Sequence, residues 1–342
     1  MVSETTQMHR EIREIPDAVE RLLTRGAAAI QTTASRARDL DPPFLLSVAR
    51  GSSDHACTYL KYASELVLGR AMASVGPSVN SVYGAQLAAN GAMCLSVSQS
   101  GQSPDIVSMT ESLRGSGALT VAITNDEGSR LAAVSDATLP IHAGPELSVA
   151  ATKTFVTSLV AGLWLVAEIR QDTALLTAIR ALPGHLDGAT RCDWSEAAGV
   201  MDGRSLFTLG RGPSWAISNE AALKFKETCL IHAESYSSAE VLHGPVSIVE
   251  QGFPVIAFAA GDAAEDSLAG TADALAGKGA RVFATTDRVS AASRLPHVRT
   301  GHWLTDPVAA IVSFYGMVEN VAVARGINPD APRHLRKVTE TV

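Results

Sequence analysis

Leu95-Ser96-Val97-Ser98-Gln99-Ser100-Gly101-Gln102-Ser103-Pro104-Asp105 takes an apolar run into a hydroxyl-rich glycine turn and then into a proline. Ala92 to Val97 reads as a buried strand. A helix is expected to begin after Pro104, with Asp105 in its first turn. Strand, turn and helix start in that order make a holder for phosphate. N–H groups at a helix N-terminus point at the anion, and the helix dipole favours negative charge there. Ser98, Ser100 and Ser103 add three hydroxyl donors. The same letters fit a capping turn with incidental serines, and this stretch alone leaves both readings open.

The pattern recurs on either side. Residues 1–40 read as mostly helical, with Ala18, Leu22, Leu23 and Ala27 on one side of a helix opened by Pro16-Asp17. Pro43 to Ala49 reads as a strand ending at Arg50-Gly51-Ser52-Ser53-Asp54-His55, with a helix expected from Ala56 to Leu68. Leu119 to Ile123 and Ala137 to Ile141 read as further strands. Strands alternating with helices imply an α/β fold, a doubly wound parallel sheet whose ligands bind at the carboxyl ends of the strands. The second half repeats the first at an offset of 161: Gly212 answers Gly51, Phe258 answers Val97 and Val282 answers Val121. Three strand ends at one offset mark two copies of one domain, joined near residues 184–204. The expected division is a helical segment at 1–40, domains at 41–190 and 191–328, and a tail at 329–342. Ser98-Gln99-Ser100-Gly101 becomes Ala259-Ala260-Gly261-Asp262 in the second copy. Loss of hydroxyls and gain of an acid predict that only the first copy holds phosphate.

The totals narrow the class. The 342 residues fit about two domains. With 46% hydrophobic and 18% charged residues the chain is a compact, soluble protein and not a disordered one. A net charge of −7 with no long basic run argues against a nucleic-acid partner. Cys57, Cys94, Cys192 and Cys229 have neither metal nor disulfide spacing, so reduced thiols in a cytoplasmic protein are expected. The charged N-terminus is not a signal peptide. The longest apolar stretch reads as Phe155 to Ile169; broken by Thr157, Ser158 and Glu168, it falls short of the ~18–20 apolar residues of a membrane span.

Glu220, Lys224 and Glu227 share one helix face by their spacing, as a solvated ion-pair ladder also would. Their helix follows a strand end and so starts at the ligand edge. Downstream, Ile231-His232-Ala233-Glu234-Ser235-Tyr236 leads to Glu240-Val241-Leu242-His243-Gly244-Pro245. Gly-Pro after His243 places that imidazole on a turn, where it can reach a ligand or serve structure alone. Gly144 to Lys153 enters another helix, either closing over a sugar or simply starting the helix. The basic tail Pro332-Arg333-His334-Leu335-Arg336-Lys337 could fray or fold over a phosphorylated ligand.

Together these motifs resemble the tandem sugar isomerase (SIS) domain family. They are Gly51-Ser52-Ser53, Ser98-Gln99-Ser100-Gly101, Gly144-Pro145-Glu146 with Ala150-Ala151-Thr152-Lys153, Glu220 to Glu227, His232-Ala233-Glu234, His243-Gly244-Pro245 and the tail around Lys337. The order is most like the isomerase half of glucosamine-6-phosphate synthases. Lys226-Glu227-Thr228-Cys229 with Glu240 to Pro245 looks like stand-alone glucosamine-6-phosphate deaminases of the SIS type. No counterpart of the synthase's glutaminase half is found, so glutamine-driven synthesis is not expected.

The resemblance implies roles. Ser98, Gln99, Ser100 and Ser103, with Ser52 and Ser53, bind the sugar phosphate. Glu227 moves a proton between C1 and C2, Lys224 supports it, and His243 assists ring opening from the neighbouring subunit of a homodimer with a shared active site. Lys337 engages the ketose carbonyl, and the backbone of Val149 touches the sugar. Arg50, Ala151 and Arg336 depart from the family's small residue, serine and alanine, which bears on substrate choice. The expected partner is a small sugar phosphate, with no membrane or nucleic acid. An enediol or enolamine intermediate needs neither metal nor redox cofactor. The expected reaction opens glucosamine 6-phosphate, transfers a proton from C2 to C1 and releases ammonia to give fructose 6-phosphate. Galactosamine 6-phosphate, a fructosamine phosphate, isomerisation alone, or a non-enzymatic sugar-phosphate sensor are the alternatives.

Overall fold

The computed structural model describes residues 5–335 and 337. Among them, β1 (Leu45–Val48), β2 (Met72–Ser74), β3 (Met93–Val97), β4 (Leu119–Thr124) and β5 (Ala137–Pro140) form one parallel sheet in the order β2-β1-β3-β4-β5. A second parallel sheet holds β6 (Ser205–Gly210), β7 (His232–Ser237), β8 (Pro254–Ala257), β9 (Arg281–Ala284) and β10 (Ser293–Arg294), in the order β10-β9-β8-β6-β7. The described residues fall into two compact units. One comprises 17–146, 153–180 and 337 and contains the first sheet; the other comprises 5–16, 147–152 and 181–335 and contains the second.

The sheets are copies. Leu45 pairs with Met72 and Leu206 with Ala233, the same register 161 residues on. Leu46 pairs with Cys94 and Phe207 with Val255, again at that offset. At the next strand the register slips by one. Met93 pairs with Leu119, whereas Pro254 pairs with Arg281, so Phe283 and not Val282 occupies the place of Val121. β2, β7 and β10 are additions to the sequence-predicted strands. All three lie at sheet edges, where strands are short or polar and carry little apolar signal.

Each sheet is covered by helices because its central strands are apolar on both faces. All five residues of β3 are buried. In the first unit Leu46, Val48, Cys94 and Ala122 pack with Ile106, Met109 and Leu113 of the Pro104–Gly115 helix. In the second, Phe207, Leu209, Val255 and Ala257 pack with Leu268, Ala272 and Leu275 of the Glu265–Ala276 helix. The cysteines are free thiols, and burial pushes that of Cys94 up to about 12, which marks it as a core residue and not a nucleophile.

The long apolar helix of the second unit is Asp306–Ala324, which the sequence reading passed over in favour of Phe155 to Ile169. It is long and apolar enough to cross a membrane by length and composition, yet most of it is buried inside the protein. Phe314 meets Phe225 of the Pro213–Cys229 helix edge to face at 5.3 Å, as in a core helix.

Two glycines set the ligand edge. Gly51 (φ 56°, ψ −134°) caps the Ser52–Val67 helix, and Gly212 (φ 57°, ψ −134°) caps Pro213–Cys229. Only glycine adopts this backbone without strain. The turn is so tight that the first of these helices begins at Ser52, four residues before the expected Ala56. A Cβ at Gly212 would meet nothing within 4 Å, so any cost there is conformational. Gly212→Ala is expected to lower stability by about 1–2 kcal/mol, read as a shift of the denaturant midpoint at unchanged slope. An unchanged midpoint would show that the turn carries no strain for alanine.

Candidate active site

At the carboxyl edge of the first sheet a cavity of about 300 Å³ is lined by Arg50, Gly51, Ser53, Ser98, Gln99, Ser100, Ser103 and Lys337, with Val97 and Ile106. Gly101 makes its floor possible: at φ 61° its hydrogen faces Ser129, whose Oγ would lie 2.2 Å from a Cβ. Ser98 Oγ accepts the N–H of Gly101 (3.1 Å) and Ser100 Oγ accepts that of Gln102 (3.3 Å). Both hydroxyls therefore keep their O–H to donate. Ser103 is the N-cap of the Pro104–Gly115 helix, but its hydroxyl makes no capping bond. Ser103 therefore caps its helix with backbone alone, whereas the bonds of Ser98 and Ser100 are ones a structural turn also makes.

The matching loop of the second copy is filled from within the protein. The N–H of Gly261 donates to Asp306 Oδ2 (2.9 Å), and that of Ala259 to Thr285 Oγ1 (2.8 Å). Arg299 donates to Asp306 Oδ2 at 3.2 Å and to Glu265 Oε1 at 2.5 Å. Asp262 turns its Oδ1 to the N–H of Ala264 (2.9 Å), and burial raises its carboxyl above the ordinary range. A carboxylate of the chain itself thus takes an N–H that an anion would need.

The second unit carries its titratable groups on Pro213–Cys229. Lys224 is fully buried, with Nζ 3.0 Å from Glu220 Oε1 and 2.6 Å from Glu227 Oε2. Tyr315 Oη donates to Glu220 Oε1 (3.3 Å). The side chain of Glu220 is wholly buried and that of Glu227 20% exposed. The solvated-ladder reading is therefore wrong: one carboxylate and the cation lie inside, and only Glu227 reaches the surface. Burial works against the Lys224 charge, but Glu220 and Glu227 outweigh it and hold the ammonium above its ordinary value. His243 is exposed on the turn between the 3₁₀ segments Glu240–Leu242 and Pro245–Ile248.

Both sheets, with their edge loops, coincide with a recurrent sequence pattern: the SIS domain matches residues 45–168 and again 201–300. The chain belongs to the SIS domain family. A glutamine–fructose-6-phosphate aminotransferase of Aeropyrum pernix is 34% identical over 315 residues, which are 86% of this chain and 50% of that one. The chain spans about half the length of the curated relatives it matches. A crystal structure from Silicibacter pomeroyi DSS-3, provisionally named a phosphosugar isomerase, is 63% identical with a TM-score of 0.93, covering 95% of this chain and 100% of that one. Glucosamine-6-phosphate deaminase of Thermotoga maritima shares the fold at a TM-score of 0.77 and 21% identity, over 98% of this chain and 100% of that one.

Within this SIS chain the predicted residues fall into groups. Ser53, Ser98, Gln99, Ser100, Ser103 and Lys337 share the cavity of the first unit. Ser52 does not line it; as the first residue of its helix it stands beside Gly51. Arg336 lies outside the described residues. Glu227 and Lys224 are in direct contact in the second unit, where His243 occupies its own turn. The N–H of Val149, also in that unit, is taken by the Asp330 carbonyl (3.2 Å).

Sequence reasoning missed the carboxylates that hold these groups. Glu146 receives Lys337 Nζ (3.1 Å) while accepting the N–H (3.1 Å) and hydroxyl (2.5 Å) of Thr154 at the start of the Lys153–Arg170 helix. Buried Glu11 accepts the N–H groups of Leu147 and Ser148, fixing the segment before Val149. An acidic residue just ahead of an apolar helix was the available signal for Glu146.

Removing Lys224 would leave Glu220 charged and buried without its cation. Lys224→Met is expected to cost about 3–5 kcal/mol, and Glu227→Gln much less, because that side chain meets water. Since the folded-state value of Lys224 is raised, its contribution is complete below the ordinary value of 10.5 and declines only as pH rises through the higher folded value. Denaturant melts from pH 7 to 10 should show no loss of wild-type stability from this group; equal melts for Lys224→Met and the wild type would sink the assignment.

Proposed function

We propose that the chain is a phosphosugar isomerase that deaminates glucosamine 6-phosphate to fructose 6-phosphate and ammonia in the cytoplasm. The observation that carries this reading is the buried Glu220–Lys224–Glu227 array, which exposes one carboxylate and backs it with a permanent cation. A carboxylate so held can take the C2 proton of an open-chain amino sugar and return it to C1. The developing enolamine collapses to a C2 imine, and water then replaces the nitrogen, which leaves as ammonia. Atoms balance with one water consumed.

The hydroxyl loop of the first unit takes the phosphate, with Ser98 and Ser100 donating O–H bonds and Gly101 letting the backbone approach. Lys337 engages the carbonyl end of the product, and His243 assists ring opening. The exposure of His243, with Leu242 and Ile248 exposed around it, supports its delivery to a neighbouring subunit of a homodimer. The deaminase choice is supported by the likeness of Lys226 to Cys229 and Glu240 to Pro245 to deaminases of the SIS type. The aminotransferase relatives act, by their names, on fructose 6-phosphate, the product in this reading.

Purified protein given glucosamine 6-phosphate should release ammonia and fructose 6-phosphate in equal amounts. Glu227→Gln should lose this turnover by about 10³-fold or more while still binding the sugar phosphate. Fructose 6-phosphate binding without ammonia release from the amino sugar would redirect the assignment to another phosphosugar, tested with galactosamine 6-phosphate and fructosamine phosphates. Full turnover by Glu227→Gln would overturn the proton-transfer role.

A further inference from the structure

We propose that Arg50 is a phosphate-binding residue of the hydroxyl-loop cavity, held in place by the buried carboxylate of Asp105. The inference rests on the reading that this cavity takes the phosphate, and it adds a guanidinium to what the loop supplies.

Arg50 precedes Gly51 at the end of β1 and lines the cavity with Ser98, Ser100 and Ser103. Its Nε and Nη2 both donate to Asp105 Oδ2, at 3.0 and 2.9 Å. Asp105 lies in the first turn of the Pro104–Gly115 helix, and its Oδ1 accepts the N–H of Ile106 (2.9 Å). The pair is lopsided. The Asp105 side chain is completely buried and that of Arg50 49% exposed, so a ligand in the cavity meets the cation and not the carboxylate.

A guanidinium has five N–H groups. Two are spent on Asp105, and among the described residues no other acceptor takes the remaining three. A planar fork anchored on one edge and unspent on the other matches the geometry of a phosphate, and the anchor removes most of the entropy of ordering a long side chain. Lys337 repeats the arrangement in the same cavity, its carboxylate partner Glu146 buried and its own side chain partly exposed. Hydroxyls and backbone N–H groups are neutral donors. The Arg50 guanidinium adds positive charge beside them, favouring sugar phosphates over free sugars.

The test uses the whole 342-residue chain and inorganic phosphate, with affinity read by calorimetric titration. Arg50→Ala is expected to weaken binding about 10- to 100-fold, and Arg50→Lys to recover part of the loss. Arg50→Ala also bares Asp105, which could repel phosphate without any direct contact having been lost. The double variant Arg50→Ala/Asp105→Asn separates the two, and it leaves no unpaired buried charge to prevent folding. Direct binding predicts that the double variant stays as weak as Arg50→Ala. Wild-type affinity in either Arg50→Ala or the double variant would overturn the proposal while leaving the loop as the phosphate site. A wild-type chain that binds no phosphate, with Ser100→Ala equally silent, would remove the loop reading itself.

Discussion

A parallel strand can feed the helix behind it through a turn of two or three residues only if the backbone reverses sharply, and after β1 and β6 that reversal rests on a glycine at φ near 57°. The two turns, at Gly51 and Gly212, share ψ of −134° although the sequences around them have diverged. The constraint fixes where the helices Ser52–Val67 and Pro213–Cys229 begin, and therefore which side chains stand at the carboxyl edge of each sheet. Arg50 and Ser53 owe their position to the first turn. Pro213 and Ser214 owe theirs to the second, while the array of Glu220, Lys224 and Glu227 lies in the middle and last turns of the helix that it starts.

Against that shared backbone, the loops after β3 and β8 show how one geometry takes two roles. In the first, Ser98 and Ser100 use their lone pairs to shape the turn and keep their protons available. In the second, Ala259 and Ala260 offer no hydroxyl, and Asp306 reaches the Gly261 N–H with Arg299 balancing its charge. The fold alone does not decide what a loop offers: the first leaves its hydroxyl protons unspent, and the second spends its N–H groups within the protein.

This explains what was legible in the sequence. Central strands such as Met93–Val97 are unbroken apolar runs because both faces are covered, and their recurrence at a fixed offset revealed the duplication. Edge strands have one neighbour and tolerate polar residues, so His232–Ser237 carries no apolar signature. The one-residue slip at β9 was invisible because Val282 and Phe283 are both apolar. The hydroxyl loop was readable because its chemistry is local. The burial of Lys224 was not: Glu and Lys at helical spacing look alike on a wet surface and in a core, and the difference lies in Phe314, Tyr315 and the rest of a helix about ninety residues away. Asp105 and Glu146 were hidden for the same reason, since what they hold is distant in sequence.

The ion pairs follow one rule with opposite signs. In the cavity of the first unit the carboxylates of Asp105 and Glu146 are buried and the cations of Arg50 and Lys337 face outward. On Pro213–Cys229 the cation is buried and the carboxylate of Glu227 faces outward. In each case the buried partner cannot relax toward water, so it fixes the position of the exposed one. Desolvation of the hidden charge is offset by its partner and by further bonds, Ile106 N–H for Asp105, Thr154 for Glu146 and Glu220 for Lys224. Each unit thereby shows outward one sign of charge: cations at the cavity of the first and a carboxylate on Pro213–Cys229 of the second. A surface ion pair could supply neither, because both partners would be free to reorient and screen each other.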